Sequence, residues 1–362
     1  MTIKSLLHLL VEREGSDLFL SVGANAGIKI EGLISLIEDT TFLPGQVKEL
    51  AYSIMNQGQI NTFEKELELD FSLQLERLGR FRINVFRERN EVAMVIRSIK
   101  ETVPAIEELY LPKILKKLIM APRGLILVVG PTGSGKSTSL ASMIDYRNSQ
   151  KTGHILTIED PIEYLHSHKK SIINQREVGQ DTHSYGSALR RAMREAPDVV
   201  LIGEIRDRET MQQALKFAQS GHLCLSTLHA TNAAQTIKRI INFFPEPHYH
   251  QELLLDLSLN IKAIISQRLL IAKNNNRIPA VEVMLSSPYI RELIEKGDIN
   301  KINKIIEQGS GLGMQTMESS LLNLYRENKV ALQEVLFNSD SPHNLSLRIR
   351  STDAENSNES NK

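Results

Sequence analysis

The sequence predicts an α/β protein in which a nucleotide-binding, doubly wound parallel sheet follows a smaller α+β domain. Three observations lead there. From about residue 113 onward, short apolar runs alternate with segments of helical period, the pattern of strands and crossover helices in a parallel sheet. One of those runs, residues 125–129, ends in Gly130, Pro131, Thr132, Gly133, Ser134, Gly135, Lys136, Ser137 and Thr138, followed by Leu140, Met143, Ile144 and Arg147 at helical spacing. Before about residue 98 the chain instead carries two-residue alternation between glycine- and asparagine-rich breaks, the mark of antiparallel strands with one buried face.

In chain order, Leu6, Leu7, Leu9 and Leu10 predict a short first helix ending near Gly15. Residues 17–22, 27–30 and 32–37 read as short strands, residues 44–57 as a helix, and residues 69–75, 80–86 and 92–96 as longer alternating strands. Arg82 lies on the strand at 80–86 and Arg97 ends the next, and a hairpin would bring them to one rim. Solvated strand-edge charge is the plain explanation for such a pair; arginine fingers for a phosphate on another subunit are the functional one. Residues 99–112, bracketed by Pro104 and Pro112, are expected as a linker between a domain at 1–98 and a domain at 113–338. Residues 339–362 are rich in Ser, Asn and charge and are expected to be a disordered tail.

The glycine-rich stretch satisfies G-x-x-x-x-G-K-[ST] between a strand and a helix, the context that gives the motif its meaning. Glycines let successive backbone N–H groups curl round a polyphosphate, and the helix N-terminus adds partial positive charge. Lys136 would reach the β- and γ-phosphates and the Ser137 hydroxyl would meet Mg²⁺, so ATP and Mg²⁺ are the expected cofactors.

Open parallel sheets bind ligands beyond the carboxyl ends of their strands, and four predicted strands end in chemistry. Residues 125–129 end in the phosphate loop, 154–158 in Glu159, Asp160, Pro161 and Glu163, 199–203 in Glu204, and 223–228 in His229. Glu204 has the position of a Walker B acid that holds Mg²⁺ through its water shell. Glu159, Asp160 and Glu163 are alternative groups to orient or deprotonate an attacking water. His229 would donate to the γ-phosphate, while His222, before the same strand, is expected to pack or to bridge subunits. Arg190, Arg191, Arg194, Arg206 and Arg208 are read mainly as a solvated face balanced by Glu195, Asp207 and Glu209. The His166/His168 and His248/His250 pairs lack the neighbouring ligands of a metal site.

Lys+Arg and Asp+Glu both number 43, so net charge gives no support to a general nucleic-acid binder. The single cysteine, Cys224, sits in an apolar run, which predicts a buried, inert thiol. No stretch reaches the apolar length that crosses a bilayer, and the first residues lack a signal-peptide core. A cytoplasmic protein is expected.

Four motifs in order carry a family resemblance: the phosphate loop at 130–138, an acidic box at 157–164, a Walker B region at 197–207 and a histidine box at 220–230. Over nearly its whole length the chain resembles the secretion ATPases of type II secretion and type IV pilus systems, in the retraction branch represented by PilT and PilU. Residues 203–211, 239–245 and 280–284 are most similar to the PilU type. The resemblance implies a RecA-like P-loop core with a PAS-like N-terminal domain. It implies a homohexameric ring with nucleotide between subunits, acting on an inner-membrane platform protein to disassemble the pilus and drive twitching motility, at the cytoplasmic face of that membrane. It makes Arg82 and Arg97 fingers in trans and Glu163, ahead of Glu159, the base. The four-cysteine zinc module of the extension and secretion members has no counterpart here. The C-terminal element A-I-R-N-L-I-R-E of PilT reads Pro288, Tyr289, Ile290, Arg291, Glu292, Leu293, Ile294 and Glu295, which implies an accessory motor working beside a PilT-type ATPase.

Overall fold

The computed structural model describes residues 2–30, 32–76, 78–99 and 102–359, with side chains through residue 350. The chain divides into two compact units: residues 1–102 with 163–165, and residues 103–162 with 166–362.

The first unit contains α1 (Ile3–Glu12), β1 (Asp17–Leu20), β2 (Gly27–Ile30), β3 (Leu33–Leu36), α2 (Gln46–Tyr52), α3 (Gln57–Glu66), β4 (Glu68–Leu75), β5 (Gly79–Glu88) and β6 (Glu91–Ile99). The strands form a six-stranded sheet in the order β3-β2-β1-β6-β5-β4, antiparallel at every pairing. Alternation decides which face is which: Phe81, Ile83 and Val85 of β5 are buried in one cluster with Leu6, Leu7 and Leu10 of α1 and Phe63 of α3. Arg82, one residue out of phase, is directed to the opposite face. The expected helix at 44–57 is shorter, ending at Tyr52, and a second begins at Gln57. Asn56 accepts from the Gln59 N–H while the Gln59 side chain accepts from the Asn56 N–H, a reciprocal cap that starts a new helix.

The second unit runs through α4 (Ile114–Ile119), β7 (Gly124–Val129), α5 (Lys136–Gln150), β8 (Gly153–Glu159), β9 (Ser171–Glu177), α6 (Tyr185–Ala192), β10 (Val199–Ile202), α7 (Arg208–Gln219) and β11 (Leu223–Leu228). It continues with α8 (Ala233–Asn242), α9 (His250–Asn260), β12 (Ile261–Ile271), β13 (Arg277–Leu285), α10 (Pro288–Glu295), α11 (Ile302–Gln308), α12 (Met317–Arg326), α13 (Leu332–Phe337) and α14 (Pro342–Glu359). Its seven-stranded sheet has the order β13-β12-β7-β11-β10-β8-β9. Every pairing is parallel except β12 with β13. Both faces are covered, so β7 reads as an unbroken apolar run: Leu125, Leu127 and Val129 pack toward α6, α7 and α8, and Ile126 and Val128 toward α4 and α5. Each such fully buried aliphatic side chain stabilises the fold by about 1.5–3 kcal/mol.

Two further expectations change. Residues 103–112, expected as linker, pack with the second unit, because Ile106 and Leu111 are buried beside Leu115 and Ile119. The tail expected from 339 to be disordered instead carries α14. Its Leu345 and Ile349 are buried with Leu270, Leu321 and Val335, two apolar residues one helical turn apart that a polar composition hid. Residues 360–362 lie outside the described residues.

Candidate nucleotide site

The phosphate loop leaves the end of β7, flanked by the end of β11 and the middle of β12. Val129 is in register with Leu228 of β11 and Ser266 of β12, so the chain leaves β7 between two neighbours and turns at once into α5. Gly130, Gly133 and Gly135 have φ of 153°, 77° and 85°, values an L side chain rarely adopts. A Cβ on Gly130 would stand 2.3 Å from the Gln267 carbonyl oxygen, so the loop fits only without it. The Lys136 ammonium donates to the carbonyls of Gly130 (3.0 Å) and Pro131 (2.9 Å) and is nearly buried. The Ser134 hydroxyl is buried without a hydrogen-bond partner among the described residues. A glycine cradle, a folded-in lysine and an orphaned hydroxyl at a helix N-terminus fit a polyphosphate group. Pro131, Thr132 and Gly133 line the outer lip and are exposed; Ser137 and Thr138, in the first turn of α5, are half-buried.

The acidic residues follow on the neighbouring strands. Ile202 of β10 is in register with Ile158 of β8 and Ser226 of β11, which brings Glu159, Glu204 and His229 to one end of the sheet. Glu204 is held from both sides: Arg206 Nε donates to its Oε2 (2.6 Å), and His229 Nε2 stands 3.1 Å from its Oε1. A carboxylate only accepts, so the hydrogen of the second contact sits on Nε2. Arg206 also reaches Asp160 at 3.6 Å, and Glu204 holds its guanidinium above the usual arginine range. Glu159 Oε1 accepts from the Thr157 hydroxyl (2.6 Å) and the Gln175 amide (3.3 Å). Glu163 is exposed and makes no hydrogen bond among the described residues; the segment Glu163–Leu165 is counted with the first unit.

Arg82 and Arg97 are directly opposite each other on β5 and β6. Like charges in that arrangement repel, and two carboxylates offset them. Asp17, opposite Arg97 on β1, accepts from Arg97 Nε at 2.7 Å, and Asp70 stands 3.7 Å from Arg82 Nε. Arg97 nonetheless leaves 64% of its side chain exposed while Asp17 is buried.

Other readings resolve plainly. Cys224 is buried on β11, and burial pushes its thiol up. His222 packs edge-on against Phe217. Burial pulls His166 down to about 4, the His168 Nδ1 accepts from the Ile173 N–H, and His250 Nε2 meets the Phe244 carbonyl. The arginine cluster keeps one expected partner, Glu209, and differs in the others. Arg190 pairs with Glu209, Arg208 with Glu246, and Glu195 with Arg176, while Asp207 caps α7.

A family model described as type II/IV secretion system protein matches residues 9–335. The chain is 45% identical over 351 residues to the type IV pilus ATPase PilU of Pseudomonas aeruginosa, across 97% of this chain and 92% of the relative. This chain belongs to the type II/IV secretion family, in its PilT/PilU branch. It is also 41% identical over 345 residues to the type IV pilus retraction ATPase PilT of the same organism, across 95% of this chain and 100% of the relative. The crystal structure of the pilus retraction motor PilT with bound ADP matches with a TM-score of 0.90 at 41% identity, covering 96% of this chain and 99% of that one. The second unit of this PilT/PilU-type chain is thus the RecA-like ATPase core. Among the described residues no helix is long and apolar enough to cross a membrane.

Sequence reasoning missed three parts of this site. Tyr185, at the start of α6, lies among Asp160, Arg206, Glu159 and Glu204, and burial pushes its phenol up. Glu177, buried at the end of β9, accepts from the Ile162 N–H at 3.2 Å and so fixes the acidic-box turn. Arg206, though more than half exposed, is the direct partner of Glu204. Glu177 had a signal, a carboxylate ending a strand as Glu159 does; Tyr185 had none.

Proposed function

We propose that this chain is the ATP-hydrolysing motor of type IV pilus retraction, of the PilU accessory type. The observation that carries the chemistry is the convergence of a phosphate loop, Glu159, Glu204 and His229 on adjacent ends of one parallel sheet. The pilus assignment rests on similarity to PilU and PilT across nearly the whole chain.

In this reading the loop at 130–138 cradles ATP with its backbone N–H groups, Lys136 turns from the loop carbonyls to the β- and γ-phosphates, and Ser137 and Glu204 would hold Mg²⁺. The cation would supply charge neutralisation between the phosphates. Glu163 is the base that takes the proton of the attacking water, free of the hydrogen bonds that occupy Glu159. His229 turns its Nε2–H from Glu204 to the γ-phosphate. Arg82 and Arg97 complete the pocket of a neighbouring protomer, in a homohexamer with one nucleotide at each interface. It acts on the inner-membrane platform protein at the cytoplasmic face, beside a PilT-type ATPase.

Deletion of the gene with the rest of the pilus system intact tests the assignment. Surface pili accumulate and twitching motility falls; unchanged pilus numbers and motility contradict it.

A further inference from the structure

Gln267 stands at the middle of the antiparallel pairing of β12 with β13, opposite Val281 and next to Ser266, the register partner of Val129. It is buried, with 3% of its surface exposed. Its Oε1 accepts from the Ser139 hydroxyl at 2.7 Å, deep under the first turn of α5. With Oε1 on the Ser139 hydroxyl, the amide nitrogen is turned to the other side. The opposite edge, Nε2, lies 2.8 Å from where a Cβ on Gly135 would stand. The backbone carbonyl of the same residue lies 2.3 Å from the corresponding position on Gly130. One residue thus presses on both ends of the phosphate loop, with its main chain at Gly130 and its side chain at Gly135.

From this we infer that Gln267 is a positioning residue for nucleotide affinity: it holds the phosphate loop in its binding shape from beneath, through Ser139 and Gly135, without touching the nucleotide. This rests on the ATPase reading above. A glutamine suits the task because it accepts from Ser139 while offering N–H toward the loop, and leucine of similar size does neither. Replacing it orphans the buried Ser139 hydroxyl and frees the loop to relax. A lost buried hydrogen bond with one partner left unsatisfied corresponds to roughly tenfold in affinity.

The test uses the full-length protein with equilibrium binding of a fluorescent ADP analogue, alongside steady-state ATP hydrolysis. For Gln267→Leu the ADP dissociation constant and the KM for ATP rise together roughly tenfold, and kcat falls by less than KM rises. Ser139→Ala weakens binding in the same direction, and adding it to Gln267→Leu brings little further loss, as expected of two residues acting through one bond. Gln267→Glu keeps an acceptor for Ser139 but sets a carboxylate at the cradle, so it lowers affinity for the anion as well; it serves if Gln267→Leu does not fold. Folded variants that melt earlier yet bind ADP as the parent does overturn the inference, as do additive losses in the double variant. Failure of the unsubstituted protein to bind ADP would instead overturn the ATPase reading itself.

Discussion

At the scale of single residues the account turns on which groups are free to do chemistry. Lys136 is the group on which phosphate binding depends most, and Lys136→Ala is expected to lower the ATPase rate by at least about a hundredfold, measured by phosphate release. Glu163 and Glu159 separate by their surroundings. Glu159 is engaged by Thr157 and Gln175, whereas Glu163 has no hydrogen bond among the described residues. Glu163→Gln should therefore cut kcat by about a hundredfold or more while ATP binding persists, and Glu159→Gln should cost less. The reverse order would give the role of base to Glu159. The phosphate loop, Glu204 and His229 were legible because each ends an apolar strand. The pairing of Glu204 with Arg206 and His229 was not, since partners that meet through a sheet register leave no mark in spacing along the chain.

At the scale of elements, strands were legible where apolar runs stood between clear breaks, as β7 and β11 do. The strands β9, β12 and β13 were not read out: β9 is mixed in polarity, and β12 follows a leucine-rich helix with no intervening break. β13 carries a buried carboxylate, Glu282, whose Oε1 accepts from the Ala233 N–H at the start of α8. Burial, reinforced by Asp340 and opposed by that N–H and by Arg268, raises its pKa to about 7 from 4.5. The folded form thus holds its proton more tightly than the unfolded chain does. The stability this contributes is complete below about pH 4.5 and is lost as pH rises through about 7, amounting to roughly 3 kcal/mol. Melting temperature should therefore fall less between pH 5 and 8 in Glu282→Gln than in the parent. His166, lowered to about 4, acts in the opposite sense as pH falls below 6.5 but is common to both proteins and cancels in the comparison. Parallel melting curves would show that Glu282 keeps an ordinary carboxylate pKa. For α14, Ile349→Ala should cost about 2–4 kcal/mol by loss of a buried side chain, read as a lower melting temperature; no change would mean that the helix does not seat there.

At the scale of the whole molecule, the sheet of the second unit supplies a nucleotide site and the sheet of the first supplies two arginines facing away from its core. The composition and motif order made both units legible, while the division at Thr102 was not, because the prolines that suggested a linker flank the buried Ile106 and Leu111. The central proposal is that each ATP is completed by two protomers, one giving the phosphate loop and the other Arg82 and Arg97. The most direct measurement mixes two inactive proteins, Arg97→Ala and Lys136→Ala, after confirming that they assemble together, and records ATP hydrolysis. In an equal mixture about a quarter of the interfaces pair an intact loop with intact arginines, so activity should return to a matching fraction of the parent rate. Mixed assemblies that hydrolyse no faster than either inactive protein alone would contradict a site shared between protomers.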